Sequence, residues 1–99
     1  MSLTRGQRVD TINEFADNMG RLGATDEQVA EALGGTPEYA GRVARLEARN
    51  LEDPWVLKNH LLARAREQGV ELRPFTALGG DYHGYWFLDS GYIDRGRFA

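Results

Sequence analysis

The sequence predicts an all-α fold: a four-helix bundle containing a helix-turn-helix, with an aromatic C-terminal arm or short β-hairpin. Three observations predict it. Two Thr-x-x-Gln boxes and two residue-Pro steps mark four helix starts, apolar residues between them recur at helical spacing, and glycines stand where those runs end.

The first helix is expected from about Leu3 to Met19. Thr4-x-x-Gln7 fits a capping box, in which hydroxyl and amide satisfy orphan N–H groups reciprocally. Val9, Ile12, Phe15, Ala16 and Met19 form its inward stripe, and Gly20 and Gly23 flank its end. Thr25-x-x-Gln28 opens a second, short helix, Asp26 to Leu33, with Val29, Ala30 and Leu33 inward and Gly34-Gly35 as its stop. Thr36-Pro37-Glu38 opens a third, expected to run to Arg49. Asp53-Pro54 opens a fourth, expected to run to Gln68 with Leu57, Leu61, Leu62 and Ala65 inward and Gly69 beyond. In both of the last two, a capping side chain precedes a Pro whose missing N–H costs nothing in the first turn.

After Gly69 the composition changes. Seven of the ten aromatics fall in residues 75–99, among Gly79-Gly80, Gly84, Gly91 and Gly96. Tyr85-Trp86-Phe87-Leu88, then Asp89-Ser90-Gly91 and Tyr92-Ile93, fits either a short β-hairpin or an irregular arm folded over the helices. The segment is too apolar for a disordered tail.

The 99 residues suit one domain with a real but modest core, and 1–99 is read as such. With no cysteine, a disulfide framework and a thiolate zinc site are excluded, which fits a cytoplasmic protein. No apolar run approaches the roughly 18 residues of a membrane span, and the N-terminus lacks the apolar core of a signal peptide. A net charge of −3 argues against nonspecific coating of nucleic acid. The charge is unevenly spread: residues 1–36 set three arginines against six carboxylates, whereas residues 37–73 carry seven basic and six acidic side chains.

Only Gly34, Gly35 and Thr36 separate the second and third helices, and Gly34 stands where a tight corner needs positive φ. Val29-Ala30-x-x-Leu33-Gly34, followed by Ala40 and Val43, resembles the helix-turn-helix of phage repressors over Asp26 to Leu46. In that pattern the Ala packs at the crossing and the Gly makes the turn. On a continuous third helix, Tyr39, Val43 and Leu46 share one face, and Glu38, Arg42, Arg45 and Arg49 the opposite one. The resemblance implies that this second face enters the major groove of double-stranded DNA. Thr36, Glu38, Arg42, Arg45 and Arg49 are the candidate nucleic-acid-binding residues: Arg42 for guanine or phosphate, Arg45 and Arg49 for phosphates, Glu38 for a cytosine amino group. A homodimer would supply two half-site contacts. A protein-interaction or adaptor domain is the alternative, because Arg at helical spacing also makes an ordinary solvated face, and Asp26, Glu27, Glu31 and Glu47 lie near it.

Over nearly its whole length the chain also resembles a family of small uncharacterised bacterial proteins, domain of unknown function 2316. Leu51-Glu52-Asp53-Pro54-Trp55-Val56-Leu57, Pro74-Phe75-Thr76-Ala77-Leu78, Asp81-Tyr82-His83 and Tyr85-Trp86-Phe87-Leu88-Asp89 carry the likeness. It implies a bacterial origin and transfers no activity.

Catalytic chemistry finds little purchase. Asp81-x-His83 and His60 lack a third ligand at metal spacing, so neither metal nor cofactor is expected. Asp81, His83 and Tyr85 with Trp86 could line a small pocket, but a turn-capping Asp81 and a solvated His83 is the simpler expectation. Gly79-Gly80 lacks the Lys and helix of a phosphate loop, and no nucleophile elbow surrounds Ser2 or Ser90. The protein is not expected to be an enzyme.

Overall fold

The computed structural model describes residues 3–98. Among the described residues, five α-helices carry the fold: α1 (Arg5–Leu22), α2 (Asp26–Leu33), α3 (Pro37–Ala44), α4 (Asp53–Gln68) and α5 (Ser90–Arg95), with one 3-10 turn at Tyr82–Gly84. No strand occurs among the described residues. The expected β-hairpin is therefore corrected. Asp89 caps a helix instead of closing a strand turn, because its carboxylate accepts the Tyr92 N–H at 3.1 Å.

The start signals act as their chemistry dictates. Thr4 with Gln7, and Thr25 with Gln28, form complete reciprocal capping boxes. Thr36 accepts the Tyr39 N–H at 3.1 Å, with Pro37 next in the chain. Asp53 differs from expectation: it lies inside α4, and its carboxylate is spent on Tyr39 and Tyr92 rather than on a cap.

Phe15, Val29, Val43, Val56, Leu57, Leu61 and Ile93 are almost fully buried at the centre. α1 and α3 flank α4, and α2 packs most closely on α3. The radius of gyration, 12.5 Å, matches the roughly 13 Å of a compact chain this long.

The inward face of α1 is rotated from the apolar stripe expected of it. Val9 and Ala16 are exposed, while Thr11, Glu14, Phe15, Asn18 and Leu22 are buried. Polar groups enter this face because they bind the chain that follows α4. Glu14 accepts the Thr76 N–H at 3.1 Å and its hydroxyl at 2.8 Å. Asn18 accepts the Arg73 N–H at 2.7 Å and donates to its carbonyl at 2.9 Å. These bonds satisfy a non-helical segment that has no ladder of its own. They also press Phe75 onto Phe15, with ring centroids 5.1 Å apart.

The arm closes over α4. Tyr82 and Tyr85 pack on Trp55, and Phe98 meets Tyr39 edge-on at 5.4 Å. No helix among the described residues is long and apolar enough to cross a membrane.

Candidate nucleic-acid interface

The corner between α2 and α3 fixes the site. Gly34 has φ 96° and ψ 175°, and Gly35 has φ 79°. The first conformation is essentially restricted to glycine, so residue type at this position decides whether the corner forms without strain. Thr36 is exposed there, its hydroxyl oxygen capping α3.

α3 ends sooner than its sequence suggests. It stops at Ala44, not Arg49, and this corrects the expectation of one continuous arginine face. Leu46 adopts φ 60°, the Leu46 N–H donates to the Val43 carbonyl at 3.0 Å, and the Glu47 N–H donates to the Arg42 carbonyl at 2.8 Å. That pair of bonds is a Schellman turn with leucine at the left-handed position glycine usually holds. Its strain, about 1–2 kcal/mol, is held by the packing of the half-buried Leu46 against the core.

Glu38, Arg42 and Arg45 remain on one exposed side of α3 and its cap. Arg49 lies beyond the turn. Its guanidinium sits 4.1 Å from the Tyr39 ring centre, and Arg42 approaches the same ring at 6.0 Å. The Tyr39 ring thus has both guanidiniums within 6.0 Å of its centre although no helix connects them. Arg45 is 57 % exposed and pairs with Glu47 at 3.2 Å, a solvated contact of little energy. Asp26 reaches over from α2: a methyl at Gly41 would lie 3.0 Å from its carboxylate and 3.2 Å from the Arg45 guanidinium.

One cation at this corner escaped sequence reasoning. The Phe98 N–H donates to the Leu33 carbonyl at 2.7 Å, so the end of the arm runs past the close of α2. This places the Arg97 guanidinium 3.3 Å from where a Gly34 methyl would stand. No local pattern signals it, because the contact joins residues more than sixty positions apart.

The other candidates assemble elsewhere. Asp81 caps its turn by accepting the His83 N–H at 3.0 Å, as expected. His83 is more than a solvated side chain, however. Its Nδ1 lies 2.7 Å from Asp81 and its Nε2 3.0 Å from Asp94 on α5. Asp94 first, then Asp81, hold the imidazole above its ordinary pKa. The His83 N–H and ring hold the Asp81 carboxyl below its usual range, and Tyr82 and His83 do the same for Asp94. Trp86 does not join a pocket with them, being 92 % exposed. On α4, burial and then Arg64 lower the His60 pKa, and its Nε2 is buried without a hydrogen-bond partner among the described residues.

Comparison with known proteins places the chain. Over 60 residues it is 45 % identical to the carbamoyl phosphate synthase large chains of Mycobacterium sp. (strain JLS) and Mycobacterium sp. (strain MCS). Those alignments cover 59 % of this chain and 5 % of each large chain, so the chain spans a small fraction of these curated relatives. No solved structure matches it. The family model described as an uncharacterized protein conserved in bacteria, DUF2316, matches residues 1–89, and the chain belongs to that family.

Proposed function

We propose that this protein is a DNA-binding regulator in which α2 and α3 act as a repressor-like helix-turn-helix. In this reading α3 is the recognition helix. The observation that carries it is the exposure of the cations on the α2–α3 pair: Arg42 and Arg45 are exposed on the last turn and cap of α3, and Arg97 is exposed where the arm passes Gly34. At eight residues α3 is about 12 Å long, and an α-helix about 10–12 Å across with its side chains is admitted by the roughly 12 Å width of the major groove. Arg42 reads a guanine or a phosphate, and Arg45 and Arg97 meet phosphates. Arg49, braced on Tyr39, adds charge from beyond the turn, while Thr36 and Glu38 lie at the entry.

A homodimer is part of the same proposal, since two copies of α3 would read two half-sites about 34 Å apart. Among the described residues, Val9, Leu51 and Trp86 are the large apolar side chains left exposed for such contact. One observation favours the alternative of a protein-interaction domain: Glu47 pairs with Arg45, and Asp26 lies over Gly41, which dilutes the positive field. Selection from a genomic fragment library at low salt separates the two. Enrichment of a common sequence supports the regulator; absence of any retained DNA at excess protein leaves the interaction domain.

A further inference from the structure

We infer that the end of α3 has two arrangements, the turn at Leu46 and a helix continued to Arg49, and that binding of backbone phosphates selects the second. This deepens the DNA-binding reading and rests on it. Leu46 holds φ 60°, although it is neither glycine nor asparagine, the residues that usually take the left-handed position after a helix. Around it, Ala44-Arg45-Leu46-Glu47-Ala48-Arg49 contains strong helix formers alone, with no Gly, Pro or Asn before Asn50. Local preference and backbone conformation conflict here, a conflict that natural chains concentrate at strained or functional segments. The half-buried Leu46 side chain, packed against the core, holds the turn.

The turn decides what the arginines contact. Arg45 Nε lies 3.2 Å from Glu47 Oε1. Residues two apart on a continuous helix do not face each other, so this pair exists because the chain turns between them. Arg49 is turned back as well: its guanidinium lies 4.1 Å from the Tyr39 ring centre, and its N–H donates to the Tyr39 hydroxyl at 3.1 Å. Continuing α3 to Arg49 trades these contacts for intrahelical bonds and parts Glu47 from Arg45. It also sets Arg42, Arg45 and Arg49 on one face with Glu38. Three guanidiniums so arranged repel one another until anions separate them, so phosphate binds the continued helix more tightly than the turn. Asn50, Leu51 and Glu52 then join α3 to α4, within the roughly two to eight residues usual between packed helices.

Substitution of Leu46 separates the two arrangements. Leu46→Gly relieves the left-handed strain and is a poor helix former, so it fixes the turn. Leu46→Ala keeps the strain, gives up the packing and favours helix. Backbone carbon chemical shifts of residues 45–49 are read in the full chain, alone and with a short random-sequence DNA duplex at low salt. Wild-type shifts should be those of the turn without duplex and become helical at saturation. Leu46→Gly should keep turn shifts at every duplex concentration and bind at least tenfold more weakly. Leu46→Ala should show helical shifts before duplex is added; if it does not fold, the wild-type and Leu46→Gly measurements decide alone. Duplex bound by the wild type with unchanged shifts over 45–49, or bound equally well by Leu46→Gly, would overturn the inference. Absence of any duplex binding removes the DNA reading and the phosphate trigger with it. The two arrangements are then decided without DNA: helical shifts in Leu46→Ala and turn shifts in Leu46→Gly support them, and turn shifts in both overturn them.

Discussion

The Tyr39 hydroxyl on α3 donates to the Asp53 carboxylate at the start of α4, and the same oxygen accepts the Arg49 N–H at 3.1 Å. Tyr92, from α5, donates to the other Asp53 oxygen at 2.6 Å. A fully buried carboxylate is thus held by two phenols, which tie the first turn of α3 to the two later helices. Burial, then Asp53, raises the Tyr39 pKa, so the hydroxyl remains a donor through neutral pH. Tyr39→Phe removes a donor from a buried charge and an acceptor from a backbone N–H. It should cost about 1–3 kcal/mol in urea unfolding, with faster amide exchange at Arg49. An unchanged midpoint would show that Asp53 is satisfied without Tyr39.

Helix starts were legible in the sequence because their chemistry is local. Thr4 with Gln7, Thr25 with Gln28, and Thr36 before Pro37 each need only three or four residues to declare a cap. The end of α3 was not legible, since Leu46 occupies a left-handed position for which glycine would be the signal. The buried face of α1 was hidden for a different reason. Glu14 and Asn18 enter the core to serve Thr76 and Arg73, partners at least 55 positions away. Of the candidate interface, Arg42 and Arg45 follow from helical spacing. The return of Arg49 onto Tyr39 and the arrival of Arg97 at Gly34 depend on tertiary contacts that spacing does not encode.

Gly34 offers a direct test of the α2–α3 corner. At φ 96° and ψ 175° an L-residue is strained, and a methyl group would also sit 3.3 Å from the Arg97 guanidinium. Gly34→Ala should cost about 1–3 kcal/mol in denaturant unfolding. Gly20→Ala is the control: a methyl there meets nothing within 4 Å, and helix propensity favours alanine by up to about 1 kcal/mol. Loss of stability in both variants, or in neither, would contradict the assignment of strain to the corner.

The His83 clasp should respond to pH on both sides. His83 has a raised pKa, so its contribution is complete below the unfolded value near 6.5 and is lost as pH rises through the folded value. Asp81 and Asp94 have lowered pKa values, so theirs is complete above about 3.9 and is lost as pH falls through the folded values. The clasp between the Tyr82–Gly84 turn and α5 is therefore tightest from about pH 4 to 6.5. Nuclear magnetic resonance should show the His83 ring titrating above its ordinary value in the native protein. It should return to that value in an Asp81→Asn, Asp94→Asn double variant. A wild-type ring titrating at the ordinary value means that the two carboxylates do not hold it.

Arg42→Ala with Arg45→Ala tests the functional proposal most directly. Both side chains are exposed, and among the described residues Arg45 pairs with nearby Glu47 and neither donates a hydrogen bond to another segment of the fold. The double variant should stay within about 0.5 kcal/mol of wild-type stability. DNA affinity depends on salt because each neutralised phosphate releases condensed counterions, with a slope near 0.9 per contact. Removing two phosphate contacts should flatten the plot of log affinity against log salt by about 2 and weaken binding at low salt at least tenfold. Arg97→Ala should flatten it by about 1. Arg49→Ala is the informative contrast. Its guanidinium lies on the Tyr39 ring, so its loss should lower stability by about 0.5–1 kcal/mol in addition to any effect on DNA. If the double variant keeps the wild-type slope and affinity, α3 does not face the phosphate backbone, and the protein-interaction reading of the same surface takes its place.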